Sequence, residues 1–82
     1  MSDTPEAAIR SLFAFLDRLD ELKAYYRVDH VRNGFVLVEV NTPGCHWEIE
    51  FGINGELQIE RFRSSGEIEP ETALADLWRD LT

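Results

Sequence analysis

Cysteine is nearly absent from this chain. Cys45 stands alone, which excludes an intramolecular disulfide and, with it, a secreted scaffold held together by bridges. Basic residues are scarce: eight Lys and Arg face sixteen Asp and Glu, for a formal net charge of −8. That balance works against nucleic acid, whose phosphates need a basic face able to displace counterions. It works equally against anionic membrane surfaces. Long apolar runs are missing too. The longest, Leu12–Leu16, has five residues, with Phe35–Val38 next at four, whereas crossing a bilayer takes about 20. The stretch Met1-Ser2-Asp3-Thr4-Pro5-Glu6 lacks the basic and apolar regions of a signal peptide. A cytoplasmic protein is the expectation. No Gly-rich phosphate loop, nucleophile elbow or zinc-ligand spacing occurs. No catalytic, cofactor-binding or metal site is therefore expected, and the chain does not read as an enzyme.

What is present suffices for a folded domain. The 82 residues make one unit, 1–82, with 44% hydrophobic and 29% charged residues, ordinary values for a globular protein. Two Trp, two Tyr and five Phe are spread along the chain, which argues against wholesale disorder. The strong negative charge favours and steers a basic partner.

Two Asn-Gly dipeptides and one Pro-Gly cut the middle of the chain into four alternating runs: Tyr25–Arg32, Phe35–Asn41, Cys45–Phe51 and Glu56–Arg63. The breaks, Asn33-Gly34, Pro43-Gly44 and Asn54-Gly55, are strong hairpin signals. Before them a helix is predicted over about 5–23. Thr4 suits the N-cap and Pro5 the first helical position. Ile9, Leu12, Phe13, Leu16, Leu19 and Leu22 form its apolar stripe, with Phe15 beside them, and Lys23 closes the last turn, where a cation is favoured. After Ser64-Ser65-Gly66, Ile68 plugs the edge of the core. Pro70 begins a second helix with Leu74, Leu77, Trp78 and Leu81 on one side.

The strand registers follow from burial. Pairing Val40 with Trp47 also pairs Val38 with Ile49 and Val36 with Phe51, six apolar residues on one side. A three-residue loop Ile53-Asn54-Gly55 then pairs Phe51 with Leu57 and Ile49 with Ile59. A three-residue loop Arg32-Asn33-Gly34 pairs Val28 with Val38 and Tyr26 with Val40; a two-residue loop would slip Arg27 and Asp29 into the core. The buried face reads Tyr26, Val28, His30, Val36, Val38, Val40, Trp47, Ile49, Phe51, Leu57 and Ile59. Cys45 faces the same way near its turn, a small hydrophobe. His30 is expected as a core-edge histidine. Both helices cover this face, giving an α+β, two-layer α-β-β-β-β-α sandwich with an antiparallel meander in the order 1-2-3-4.

The opposite face carries the chemistry. Its central row is Arg27, Glu39, Glu48 and Glu60. One flanking row holds Asp29, Leu37, Glu50 and Gln58; the other holds Tyr25, Asn41, His46 and Phe62. Like charges opposed on neighbouring strands repel, and only Arg27 is placed to compensate, at Glu39. Glu39, Glu48, Glu50, Glu60 and His46, with Phe35, Leu37 and Phe62 as apolar anchors, form the expected partner-binding surface. His46-x-Glu48-x-Glu50 aligns three potential ligands, but same-face residues on a strand lie ~6–7 Å apart, too far for the ~2 Å bonds of one ion without help from neighbouring strands. Cys45 and His46 are adjacent in a strand, so they point to opposite faces and form no dyad.

The stretch Asn41-Thr42-Pro43-Gly44-Cys45-His46-Trp47-Glu48-Ile49-Glu50-Phe51, with Asn54-Gly55 after it, resembles the core of small bacterial proteins of the form PG-x-x-W-x-[IV]-[ED]-F-x-x-[DN]-G. It is also similar to part of immunity protein family 53 of polymorphic toxin systems. The resemblance covers at most half of the chain and implies a cytosolic protein that binds and blocks a toxin. The expected function is a non-catalytic binding module that presents its acidic sheet face to a basic protein, with a toxin inhibitor as the sharpest version. A reading from another class is a structural homodimer, joined through a strand edge or through Phe35, Leu37 and Phe62.

Overall fold

The computed structural model describes residues 4–42, 45–62, 68–69 and 73–81. The chain runs α1 (Pro5–Glu21), β1 (Tyr25–Arg32), β2 (Phe35–Thr42), β3 (Cys45–Gly52), β4 (Leu57–Phe62), β5 (Ile68–Glu69) and α2 (Leu74–Leu81). The strands form one antiparallel sheet in the order β1-β2-β3-β4-β5. The expected four-stranded meander is present. The two-residue β5 extends it, pairing Glu69 with Ile59 and Ile68 with Glu60. Ile68 thus joins the sheet through its backbone, an addition to the expected topology. Pro70 and the segment 64–66 lie outside the described residues.

Helix α1 starts as its sequence dictates. The Thr4 Oγ1 accepts the Ala7 N–H at 3.1 Å and Pro5 follows at the first helical position. Its end is different from the expectation. Leu22 is the C-cap, and Lys23 lies beyond the helix at φ 56°, the one described non-glycine residue with positive φ. The Lys23 N–H bonds to the Asp20 carbonyl and the Ala24 N–H to that of Leu19, both at 3.0 Å. This is the left-handed closing turn normally given to glycine. The buried stripe is also turned slightly. Phe15 and Leu19 are its centre, Leu12 and Leu16 flank it, and Ile9 and Phe13 are exposed.

The middle and third hairpins have the expected registers, with Val40 opposite Trp47, Ile49 opposite Ile59 and Phe51 opposite Leu57. Gly52 and Glu56 close the three-residue loop, in which Gly55 takes φ 92°. The first hairpin reaches its register by another route. Arg32 pairs with Phe35 around the two-residue loop Asn33-Gly34, and one extra residue between Asp29 and Arg32 then restores Val28 opposite Val38. Only Gly34 is left-handed, at φ 80°, so the loop is not the doubly left-handed turn that matches strand twist. The bulge absorbs the mismatch, and the Asp29 side chain accepts the His30 N–H there at 2.9 Å.

The core joins Phe15 and Leu19 of α1 and Leu77 of α2 to Val38, Val40, Trp47, Ile49 and Ile59. Both helices therefore cover the expected face. Trp47 is fully buried, and its Nε1 donates to Thr42 Oγ1 at 3.2 Å. Phe15 packs its ring 5.1 Å from Phe51 and 5.2 Å from Trp78, which ties α1 to α2 and to β3. With eight residues, α2 is ~12 Å long, under half of an eight-residue strand. The helical layer is thus smaller than the sheet, and of β1 only Tyr26 packs against the core. Val28 and His30, expected in the core, are exposed.

One charged residue does enter that face. Arg61 stands opposite Trp47, is buried, and reaches Asp76 of α2 at 2.8 Å. Its guanidinium lies 4.5 Å from the Trp47 ring centre. Arg61 pins α2 to the sheet and is unable to serve the acidic face.

Candidate functional site: the acidic outer face

The registers place Arg27, Glu39, Glu48 and Glu60 in one row across four strands. Asp29, Leu37, Glu50 and Gln58 lie on one side of it, and Tyr25, Asn41, His46 and Phe62 on the other. The sequence reading of this face is reproduced residue by residue. Its electrostatics are better compensated than expected. Arg27 Nε lies 3.4 Å from Glu39 Oε1, and a terminal nitrogen of the same guanidinium lies 3.8 Å from Asp29. Arg32, brought to this side by the bulge, holds Glu50 at 2.8 Å. The two arginines sit toward β1. The Glu60 carboxylate, at the far end, has no ion-pair or hydrogen-bond partner among the described residues. Negative charge therefore accumulates from β2 toward β4.

His46 is the polar hub of the face. Its Nδ1 lies 3.0 Å from Asn41 Oδ1, and its Nε2 lies 3.3 Å from Glu48 Oε2 and 3.9 Å from Glu39 Oε2. Glu39, His46 and Glu48 offer donor atoms all within 4.8 Å of one another. These are the residues that could hold a divalent ion, with Asn41 orienting the ring. The third donor comes from the neighbouring strand rather than from Glu50, so spacing along β3 does not decide the matter. The arrangement as it stands satisfies itself through hydrogen bonds and, with His46 protonated, through charge.

The apolar anchors divide. Phe62 is 38% exposed and lies 5.7 Å from the His46 ring. Leu37 is on this face but buried, so it fills the surface without presenting itself. Phe35 is half-buried; the Arg32 guanidinium covers its ring at 3.8 Å. The opposite strand has Gly52 at that level, where a Cβ would come within 3.0 Å of the ring. Tyr25, which the sequence reading placed in the row without assigning it a role, is 84% exposed. Two accessible aromatics, Tyr25 and Phe62, thus end the row beside the carboxylates.

The perturbed titratable groups lie elsewhere. The hydrogen bond from Arg61, followed by the charges of Arg79 and Arg61, holds the Asp76 carboxyl below its ordinary value against the opposing effect of burial. The hydrogen bond that the Tyr26 hydroxyl donates to Asp20, at 2.6 Å, pushes that phenol up. Neither belongs to the outer face. A cleft of about 290 Å³ opens between α1 and the β1–β2 turn, lined by Ala8, Ile9, Leu12, His30, Phe35, Val36, Phe51 and Ile53 among others. Among the described residues of its lining, His30 is the one titratable side chain.

No protein-family model, characterised protein or solved structure matches the chain. Among the described residues no helix is long and apolar enough to cross a membrane.

Proposed function

We propose that the chain is a non-catalytic binding module whose outer sheet face docks on a basic protein surface. The observation that carries this reading is the row Glu39, Glu48 and Glu60 on three adjacent strands, compensated at its β1 end and open at Glu60. Stability alone gives no reason to oppose like charges across a sheet. Phe62 and Tyr25 supply exposed aromatic surface next to the carboxylates, the combination of anchors and polar surroundings that interfaces use. A toxin inhibitor is the sharpest version. A nuclease must keep a basic cleft to hold phosphates, and a flat acidic face blocks such a cleft by charge complementarity.

The test is a partner isolated on the immobilised chain and then measured as a purified pair. The Glu48→Gln, Glu60→Gln double variant should associate about tenfold more slowly at low ionic strength, with the difference shrinking as salt rises. A partner that binds the double variant at the wild-type rate at every salt concentration refutes the proposal.

A further inference from the structure

The sheet is open along β1. Among the described residues this strand bonds to β2 on one side and to no strand on the other, and every residue in it except Tyr26 is exposed. Unpaired backbone groups on such an edge are a template for another strand. The apolar surface beside it is also uncovered. Val28 is 49% exposed, and α1 presents Phe13 at 58% and Ile9 at 46%. Ile9 lines the cleft shared with His30 of β1, and Phe13 follows one turn later on the same side of the helix.

The charges along this edge are arranged to match a copy of themselves. Arg27 and Asp29 flank Val28 symmetrically. In an antiparallel pair, opposed residues share a face, so a two-fold axis perpendicular to the sheet keeps both helical layers on one side. With that axis at Arg27 or at Asp29, like charges meet. With it at Val28, each Arg27 meets the Asp29 of the other copy. The bulge begins beyond Asp29, so about this axis Arg27–Asp29 is regular on both copies, while Tyr26 and Tyr25 meet His30 and Val31 at the bulge. Over the rest of the surface two copies of a chain with net charge −8 repel.

We propose that two copies of this chain associate by antiparallel pairing of their β1 strands about a two-fold axis at Val28, setting Arg27 of each against Asp29 of the other. The two five-stranded sheets become one continuous sheet. Phe13 and Val28 of both copies close over each other on the helical side. The carboxylates of Glu39, Glu48 and Glu60, on the strands beyond β1, are left free, so the inference does not rest on the function proposed above.

A charge-swap series read by sedimentation equilibrium tests it. Wild-type protein should dimerise reversibly within the range up to ~1 mM. Asp29→Arg and Arg27→Asp each turn two opposite-charge pairs into two like-charge pairs, and each should raise the dissociation constant about tenfold. The double variant, Arg27→Asp with Asp29→Arg, restores opposite pairs and should return it to near the wild-type value. Far-UV circular dichroism on each variant checks the fold; Asp29→Arg leaves the Arg27–Glu39 pair intact and is the decisive single change. Wild-type protein that stays monomeric to ~1 mM overturns the proposal. So does an Asp29→Arg variant that dimerises as tightly as wild type, or a double variant no tighter than the singles.

Discussion

The hydrogen bond between Trp47 and Thr42 should be separable from the packing of Trp47 by a double-mutant cycle. Trp47 is fully buried at the centre of the sheet and Thr42 is 8% exposed. Trp47→Ala would cost ~3–5 kcal/mol from burial and cavity, a large part of the ~4–12 kcal/mol available to a domain of this size, and would mix the lost packing with the lost hydrogen bond. Trp47→Phe keeps an aromatic ring beneath α1 but removes the indole N–H. It loses a bond worth ~1 kcal/mol and leaves the Thr42 hydroxyl without its donor, at a further ~1 kcal/mol. The smaller ring also weakens the contact with the Arg61 guanidinium, worth ~0.5–1 kcal/mol. A total near ~2–3 kcal/mol is expected. Thr42→Val strands the indole N–H and should cost ~1–2 kcal/mol. With both changes, nothing polar is stranded, so the double variant should be less destabilised than the sum of the singles by ~1 kcal/mol. Urea denaturation followed by far-UV circular dichroism reads all four proteins without depending on the tryptophan signal. Additivity within ~0.3 kcal/mol would show that the bond carries no weight and that Trp47 acts by packing alone.

Lys23→Gly should stabilise the protein by ~0.5–1 kcal/mol, or about 3–6 °C in Tm, because only glycine takes the left-handed position without steric cost; an unchanged or lower Tm contradicts the closing-turn geometry. Glu60→Gln should be neutral or stabilising by up to ~0.5 kcal/mol, whereas Glu50→Gln should destabilise by ~0.2–1 kcal/mol by releasing Arg32; thermal melts at low salt distinguish them. Asp76 has a depressed pKa in the folded protein. The stability it supplies is therefore full above its ordinary value of 3.8 and is lost as pH falls through the lower folded value. Asp76→Asn should flatten the acid limb of a stability–pH curve between those two points, and a limb of unchanged slope would place the acid sensitivity in other carboxyls.

The registers were legible because the glycines of three short turns and one apolar face jointly leave a single alignment. Trp47 opposite Val40 could not shift without bringing Glu48 inward. The row Glu39, Glu48 and Glu60 was legible for the same reason, since in a meander the register alone decides which side chains share a face. The rest depended on things that alternation does not encode. The bulge after Asp29 preserves the Val28–Val38 pairing, so the burial argument could not tell it from a longer loop. Yet that bulge is what turns Arg32 toward Glu50. Arg61 sits at an inward position by parity; its burial became favourable only because Asp76 arrives from α2 and Trp47 offers a ring face. The exposure of Val28 and His30 depends on the lengths and placement of the helices, which reach Tyr26 of β1 but leave Val28 and His30 uncovered. Leu37 was identified as apolar and outward, but alternation does not encode the burial it has there.

Strand order that repeats chain order also governs how this protein reaches its native state. β1 and β2 are joined by Asn33-Gly34, and β3 and β4 by the three-residue Ile53-Asn54-Gly55 turn. Each hairpin closes a short loop, for which the chain-entropy cost is small, and such hairpins form in microseconds. The long-range encounters belong to the helices: Leu19 and Phe15 must return from the start of the chain to Trp47 and Phe51, and Leu77 from its end. Docking of α1 and α2 onto the sheet is therefore expected to limit the folding rate. Conservative truncations in α1, such as Leu19→Ala, should slow folding, whereas changes in the Asn54-Gly55 turn should act on the sheet that forms before it.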